Sequence, residues 1–196
     1  MTKKRSLSAG QAETPSPMTD GAGIDLASLC DMHPRLREMA AIMVLRAALG
    51  LQRNNHSPGA ELQMAIESVE LRCILTWFAA DLGTVEQHDS NRITEDGAEA
   101  IALAVAHKTK DWRVVRRMQQ EEHADWLLEH RDREVRKLVA FEVSGTDDKS
   151  ITRGLRDKLA QVAKSVDVDQ RCAGVVGFKQ PQVALQSVKK VRTHGH

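Results

Sequence analysis

The chain has 196 residues, 41% of them hydrophobic, which is enough to bury one core with a tail to spare. Its 28 Lys plus Arg stand against 27 Asp plus Glu, and a net charge of +1 excludes a global electrostatic drive toward nucleic acid; such binding needs a local basic patch. Cys30, Cys73 and Cys172 are scattered without metal-ligand spacing and read as free thiols, and no apolar run approaches the ~20 residues that span a bilayer, so a cytoplasmic protein without membrane association is expected.

Residues 1–23 are rich in Ser, Thr, Pro, Gly and Ala, a composition expected to form a disordered tail; Lys3, Lys4 and Arg5 there read as solubilising charge. A first helix is predicted from Pro34 to Leu49, with Leu36, Met39, Met43 and Ala47 on one stripe. A second is predicted from Ser57 and Pro58 to Leu82, with the stripe Leu62, Ile66, Val69, Cys73 and Trp77. Together they predict an antiparallel helical hairpin over residues 24–92, free to pack on a later sheet, a protein partner or a second copy of the chain.

A third helix is predicted from Thr94, whose hydroxyl suits a cap, through GAEAIALAVAH, where small residues imply close packing against a sheet. Three strands follow, in WRVVRRM, DWLLE and KLVAFEVSG. Ser150 is placed to cap a fourth helix, SITRGLRDKLAQVAKS, and CAGVVGF reads as a short buried strand. QVALQSV after Pro181 is a candidate edge strand, and the basic end, residues 189–196, is expected to fray. The order helix, three strands, helix, strand predicts an α/β core over residues 93–188, with helices on the faces of a mixed sheet.

Glu142 is the informative acid. It lies in LVAFEV, a run apolar on both alternating faces, as in a central strand covered on both sides. A carboxylate there must pair, bind a cation or protonate, because burying a lone charge costs several kcal/mol. Asp125 opens the preceding strand at a distance that allows a strand, a turn and a return, and Glu99 lies in the helix before. Two such carboxylates beside a strand carbonyl make an oxygen-rich site suited to Mg²⁺ or Mn²⁺. The competing structural readings are a carboxylate paired with an arginine for Glu142, a turn-bonding residue for Asp125 and a solvated helix face for Glu99, whose place Glu95, Glu67 or Glu70 could take. Ser144 lacks the GxSxG context of a nucleophile, and His123 and His130 match no zinc spacing. Arg113, Arg116, Arg117, Arg131, Arg133, Arg136 and Lys137 form a basic cluster diluted by Glu129, Asp132 and Glu134. With 3% aromatic residues and no Tyr, stacking platforms for single strands are scarce, so duplex backbone contact is the better form of a nucleic-acid reading.

On GAEAIALAVAH, EEHADWLLE, LVAFEVSG and RGLRDKLAQVAKS, the chain from about Thr94 to Phe178 resembles the PD-(D/E)XK nuclease superfamily, with its restriction-endonuclease-like fold. The resemblance implies a metal-dependent DNA phosphodiesterase holding Mg²⁺ or Mn²⁺. Glu99 would be the helix acid, and Asp125 and Glu142 the metal ligands with the Val143 carbonyl nearby. Gln161 would be the glutamine that some members carry on the next helix. The family's motif lysine is replaced by Ser144. Lys158 on the following helix is the candidate substitute, ahead of Lys137 and Lys149. The alternative is a nuclease-like module that has lost catalysis and binds a protein or nucleic-acid partner; a third reading is an interaction protein whose sheet acids are structural.

Overall fold

In the computed structural model, residues 23–148, 150–165 and 167–188 are described. The predicted tail up to residue 22, Lys149 and the basic end from residue 189 lie outside them. The elements in order are β1 (Ile24–Asp25), α1 (Leu29–Met32), α2 (Glu38–Arg53), β2 (Ala60–Ile66), β3 (Val69–Thr76), α3 (Ser90–Lys110), β4 (Arg113–Arg117), β5 (Trp126–Asp132), β6 (Val135–Thr146), α4 (Thr152–Val162), β7 (Gln170–Gly177) and β8 (Gln182–Ser187), with short 3-10 turns between some of them. The strands form one eight-stranded sheet in the order β1-β3-β2-β8-β7-β6-β5-β4. The fold is mixed α/β.

The predicted order from α3 onward is present. β4, β5 and β6 pair as an antiparallel meander, α4 carries the chain across, and β7 returns parallel to β6. Alternation along β6 divides the core. Val139, Phe141 and Val143 join the large cluster shared with α2 and α3, while Ala140 joins a smaller one with Leu127, Ala173 and Val162 beneath α4. β6 is therefore covered on both faces, as its two-sided apolar run requires.

α3 is buried without interruption from Asp96 to Ala106, because it packs on α2 on one side and on the sheet on the other. Two glycines permit that approach. A Cβ on Gly97 would lie 3.0 Å from backbone atoms of Ala47 in α2, and a Cβ on Gly145 in β6 would drive into the Thr94 carbonyl. The helix starts earlier than its sequence suggests. Asp89 is the cap, accepting from the Arg92 N–H at 3.0 Å, whereas the Thr94 hydroxyl donates back to the Ser90 carbonyl at 3.2 Å. α4 starts later than expected, at Thr152, so Ile151 rather than Ser150 stands at the cap and no side chain caps the helix.

The helical hairpin is not formed. α2 is a helix, but the second segment is the β-hairpin β2–β3. Leu62, Met64 and Ile66 are buried while Glu61, Gln63 and Ala65 are exposed, a repeat of two residues rather than 3.6. Ile66 pairs with Val69, so Glu67 and Ser68 form a two-residue turn with Glu67 at φ 58°. The hairpin joins the main sheet through β2, which runs parallel to β8. QVALQSV is consequently an interior strand between β7 and β2, not an edge. With a β-hairpin in place of the second helix, the expected surface of paired helices is not formed; α2 buries Met43, Val44 and Ala47 as it packs on α3, while Met39 stays exposed.

Candidate functional site

Asp125 is fixed by its own backbone before its side chain does anything. Its carbonyl accepts from the Met118 N–H at 2.8 Å, and its N–H donates to the Phe141 carbonyl at 3.2 Å, pinning it between the end of β4 and β6. From there Oδ2 accepts the Val143 N–H at 2.8 Å. The bond is to the neighbouring strand rather than to the turn that the structural reading of Asp125 foresaw. Because the N–H and C=O of one strand residue project to the same edge, the Val143 carbonyl opens toward Asp125 as well.

Glu142 lies on the α4 face of β6 and is 2% exposed. Oε1 meets the Lys158 ammonium at 2.5 Å, whereas Oε2 is buried and has no hydrogen-bond partner. Burial pushes its carboxyl up to about 7, the neighbouring Asp125 charge adds to this, and Lys158 opposes it. Lys158 arises from α4, keeps 27% of its side chain exposed and also approaches Gln161 Oε1 at 3.4 Å. Ser144, on the same face of β6 as Glu142, is half-buried. An ammonium thus reaches Glu142 from α4 rather than from β6 itself.

Glu99 approaches from α3 and is 5% exposed. Arg117 at the end of β4 holds Oε1 at 2.9 Å, and Oε2 is buried and unpartnered. Burial pushes Glu99 up to about 7; Arg117 opposes the rise, Asp125 and Glu95 add to it, and the Trp126 indole nearby opposes it. Arg117 also sits over the Trp126 ring, 5.2 Å from its centroid, with 42% of its side chain exposed. Asp125 is electrostatically felt by both glutamates, so Glu99, Asp125, Glu142 and Lys158 form one neighbourhood.

The competing residues go elsewhere. Glu67 accepts from the Ser187 hydroxyl at 2.7 Å and from Lys110 at 3.0 Å, at the β2–β3 turn. Glu70 is exposed on β3, Glu95 is exposed on α3, and Lys137 faces Asp169 at 3.7 Å. Much of the basic cluster is matched by acids: Arg113 by Asp111, Arg116 by Glu122 through two hydrogen bonds of 2.6 and 2.7 Å, and Arg136 by Glu129. Arg117 is the residue that sequence reasoning missed. Nothing local separates it from Arg113 and Arg116; its pairing with Glu99 is set by how α3 lies on the sheet.

Among the described residues, no group of three or more His, Cys, Asp or Glu side chains is arranged to hold a metal ion. A cation here would rest on Asp125, Glu142 and the Val143 carbonyl. The orphaned Glu142 Oε2 fits that role, since a buried carboxylate oxygen without a donor is the kind of atom a hard cation satisfies. No helix among the described residues is long and apolar enough to cross a membrane. The chain matches no family model, no curated protein and no solved structure.

Proposed function

We propose that the protein is a Mg²⁺- or Mn²⁺-dependent DNA phosphodiesterase of PD-(D/E)XK type, with a restriction-endonuclease-like core and its lysine relocated to Lys158. The observation that carries this reading is the meeting of Asp125 and Glu142 at β6, with one Glu142 oxygen buried and unpartnered and an ammonium held against the other. The order of α3, β4 to β6, α4 and β7 supports it. Bound there, the cation would supply a water-derived hydroxide at neutral pH and neutralise charge on the scissile phosphate. Asp125 and Glu142 would hold it, the Val143 N–H keeps Asp125 in one orientation, and Lys158 would face the charge that develops on the phosphate. Glu99 and Arg117 act together as a neutral pair that closes the β4 side of the site.

A second reading has its own observation. Lys158 already faces Glu142, and Arg117 faces Glu99, so two of the three carboxylates carry a countercharge from the protein itself. That favours a module without catalysis that binds nucleic acid or a protein. Nicking of supercoiled duplex DNA in Mg²⁺ and in Mn²⁺ separates the two. Nuclease function is expected to give cleavage that drops about 100-fold or more in Asp125→Asn and in Glu142→Gln, the scale of losing one group that stabilises transition-state charge. An intact duplex in both metals, with salt-sensitive binding retained, would establish the second reading instead.

A further inference from the structure

We infer that the Lys158 ammonium is an internal competitor of the divalent cation: it occupies the Glu142 carboxylate in the metal-free protein and moves to Gln161 when a cation binds. This rests on the metal-site reading above and adds to it a device that sets when the site is loaded. Nζ lies 2.5 Å from Glu142 Oε1, against a side chain that is 2% exposed, so it already holds one oxygen of the carboxylate a cation would need. One positive charge faces two carboxylates, Asp125 and Glu142, leaving Glu142 Oε2 without a partner. A divalent ion answers that charge more fully, and the two cations repel when crowded on one carboxylate.

Lys158 is also built to leave. Lysine is a compact charge on a flexible stem, unlike the planar fork of arginine. Its side chain is 27% exposed, so its departure crosses no packed layer. One turn further along α4, Gln161 Oε1 already stands 3.4 Å from Nζ and can keep the ammonium as Glu142 lets go. Arg117 has no such freedom, being held by Glu99 and seated over Trp126. The same movement that admits the cation would bring a free ammonium to the mouth of the site.

Two measurements test this without cleavage. Titration calorimetry of Mn²⁺ into metal-stripped wild type, Lys158→Met and Asp125→Asn reads competition. Acylation of Lys158 in the wild type with and without saturating Mn²⁺, followed by peptide mass spectrometry, reads its release. Competition is expected to make Lys158→Met bind Mn²⁺ at least about tenfold more tightly, and Mn²⁺ to raise wild-type acylation at Lys158 severalfold. If the wild type binds Mn²⁺ but Lys158→Met binds no more tightly, or acylation does not rise, the exchange is overturned while the metal site stands. A silent wild type beside a Lys158→Met variant whose binding is lost in Lys158→Met/Asp125→Asn supports competition and makes the lysine a permanent lock. Silence in every folded protein overturns both readings. Should Lys158→Met fail to fold, wild-type acylation decides alone.

Discussion

Glu99 and Glu142 each keep one carboxylate oxygen buried without a partner, and each is offset by a single cation on the other oxygen. Such half-satisfied groups are costly in a stable core. His33 shows the contrast. It is fully buried, yet Nε2–H donates to the Leu103 carbonyl at 3.0 Å and Nδ1 accepts from the Val114 N–H at 3.2 Å, so both nitrogens of the neutral ring are satisfied. Burial, with His107 and Arg113 nearby, lowers its pKa to about 4 despite the opposing Leu103 carbonyl. The unfolded chain therefore takes up the proton first. This contribution to stability is complete above the ordinary pKa of 6.5 and is lost as pH falls through 4, by about 3 kcal/mol in all. His33→Asn is expected to flatten the acid side of the stability curve between those values in urea unfolding. An imidazole that titrates near its ordinary value by NMR would remove the argument.

At the scale of elements, what could be read from the chain depended on whether a pattern fits one period or two. KLVAFEVSG allowed a buried strand and little else, and β6 lies there. The segment from Ala60 to Thr76 fits both periods. Leu62, Ile66, Val69 and Cys73 also suit a helix, and the Glu67–Ser68 turn lacks the Gly or Asn that announces a hairpin. The acids of the site were legible because chain order placed them on successive elements. Their countercharges were less so: Lys158 was reached by resemblance, and Arg117 depends on tertiary packing. The β5–β6 hairpin has the same unmarked character, since Asp132 pairs with Val135 and its two turn residues, Arg133 and Glu134, have φ of 47° and 73°. Side chains of that kind are strained there, whereas Asn and Gly are at ease. The double variant Arg133→Asn/Glu134→Gly is expected to stabilise the protein by about 1 kcal/mol, raising Tm by about 2–4 °C. An unchanged or lower Tm in calorimetry would show that the turn is not strained.

For the whole molecule, the decisive contact is β2 alongside β8. A helical hairpin over residues 24–92 would have been an appendage, able to unfold apart from the core. Instead β2 pairs in parallel with a strand more than a hundred residues later, and Glu67 ties the β2–β3 turn to both Ser187 in β8 and Lys110 at the end of α3. α2 closes over α3, which closes over the sheet, so loss of the early residues uncovers one face of the helix that carries Glu99. The early elements are thus part of what positions the site. Native-state hydrogen exchange should show this as shared protection, because amides in one cooperative unit open with one free energy. The interior amides of β2 and β7 are expected to exchange with the same free energy and to fall together in Ile66→Ala, a truncation costing about 2–5 kcal/mol where the side chain is well packed. If β2 amides fell while β7 kept its wild-type protection, residues 24–92 would be a separate unit, and the Glu99 side of the site would stand without them.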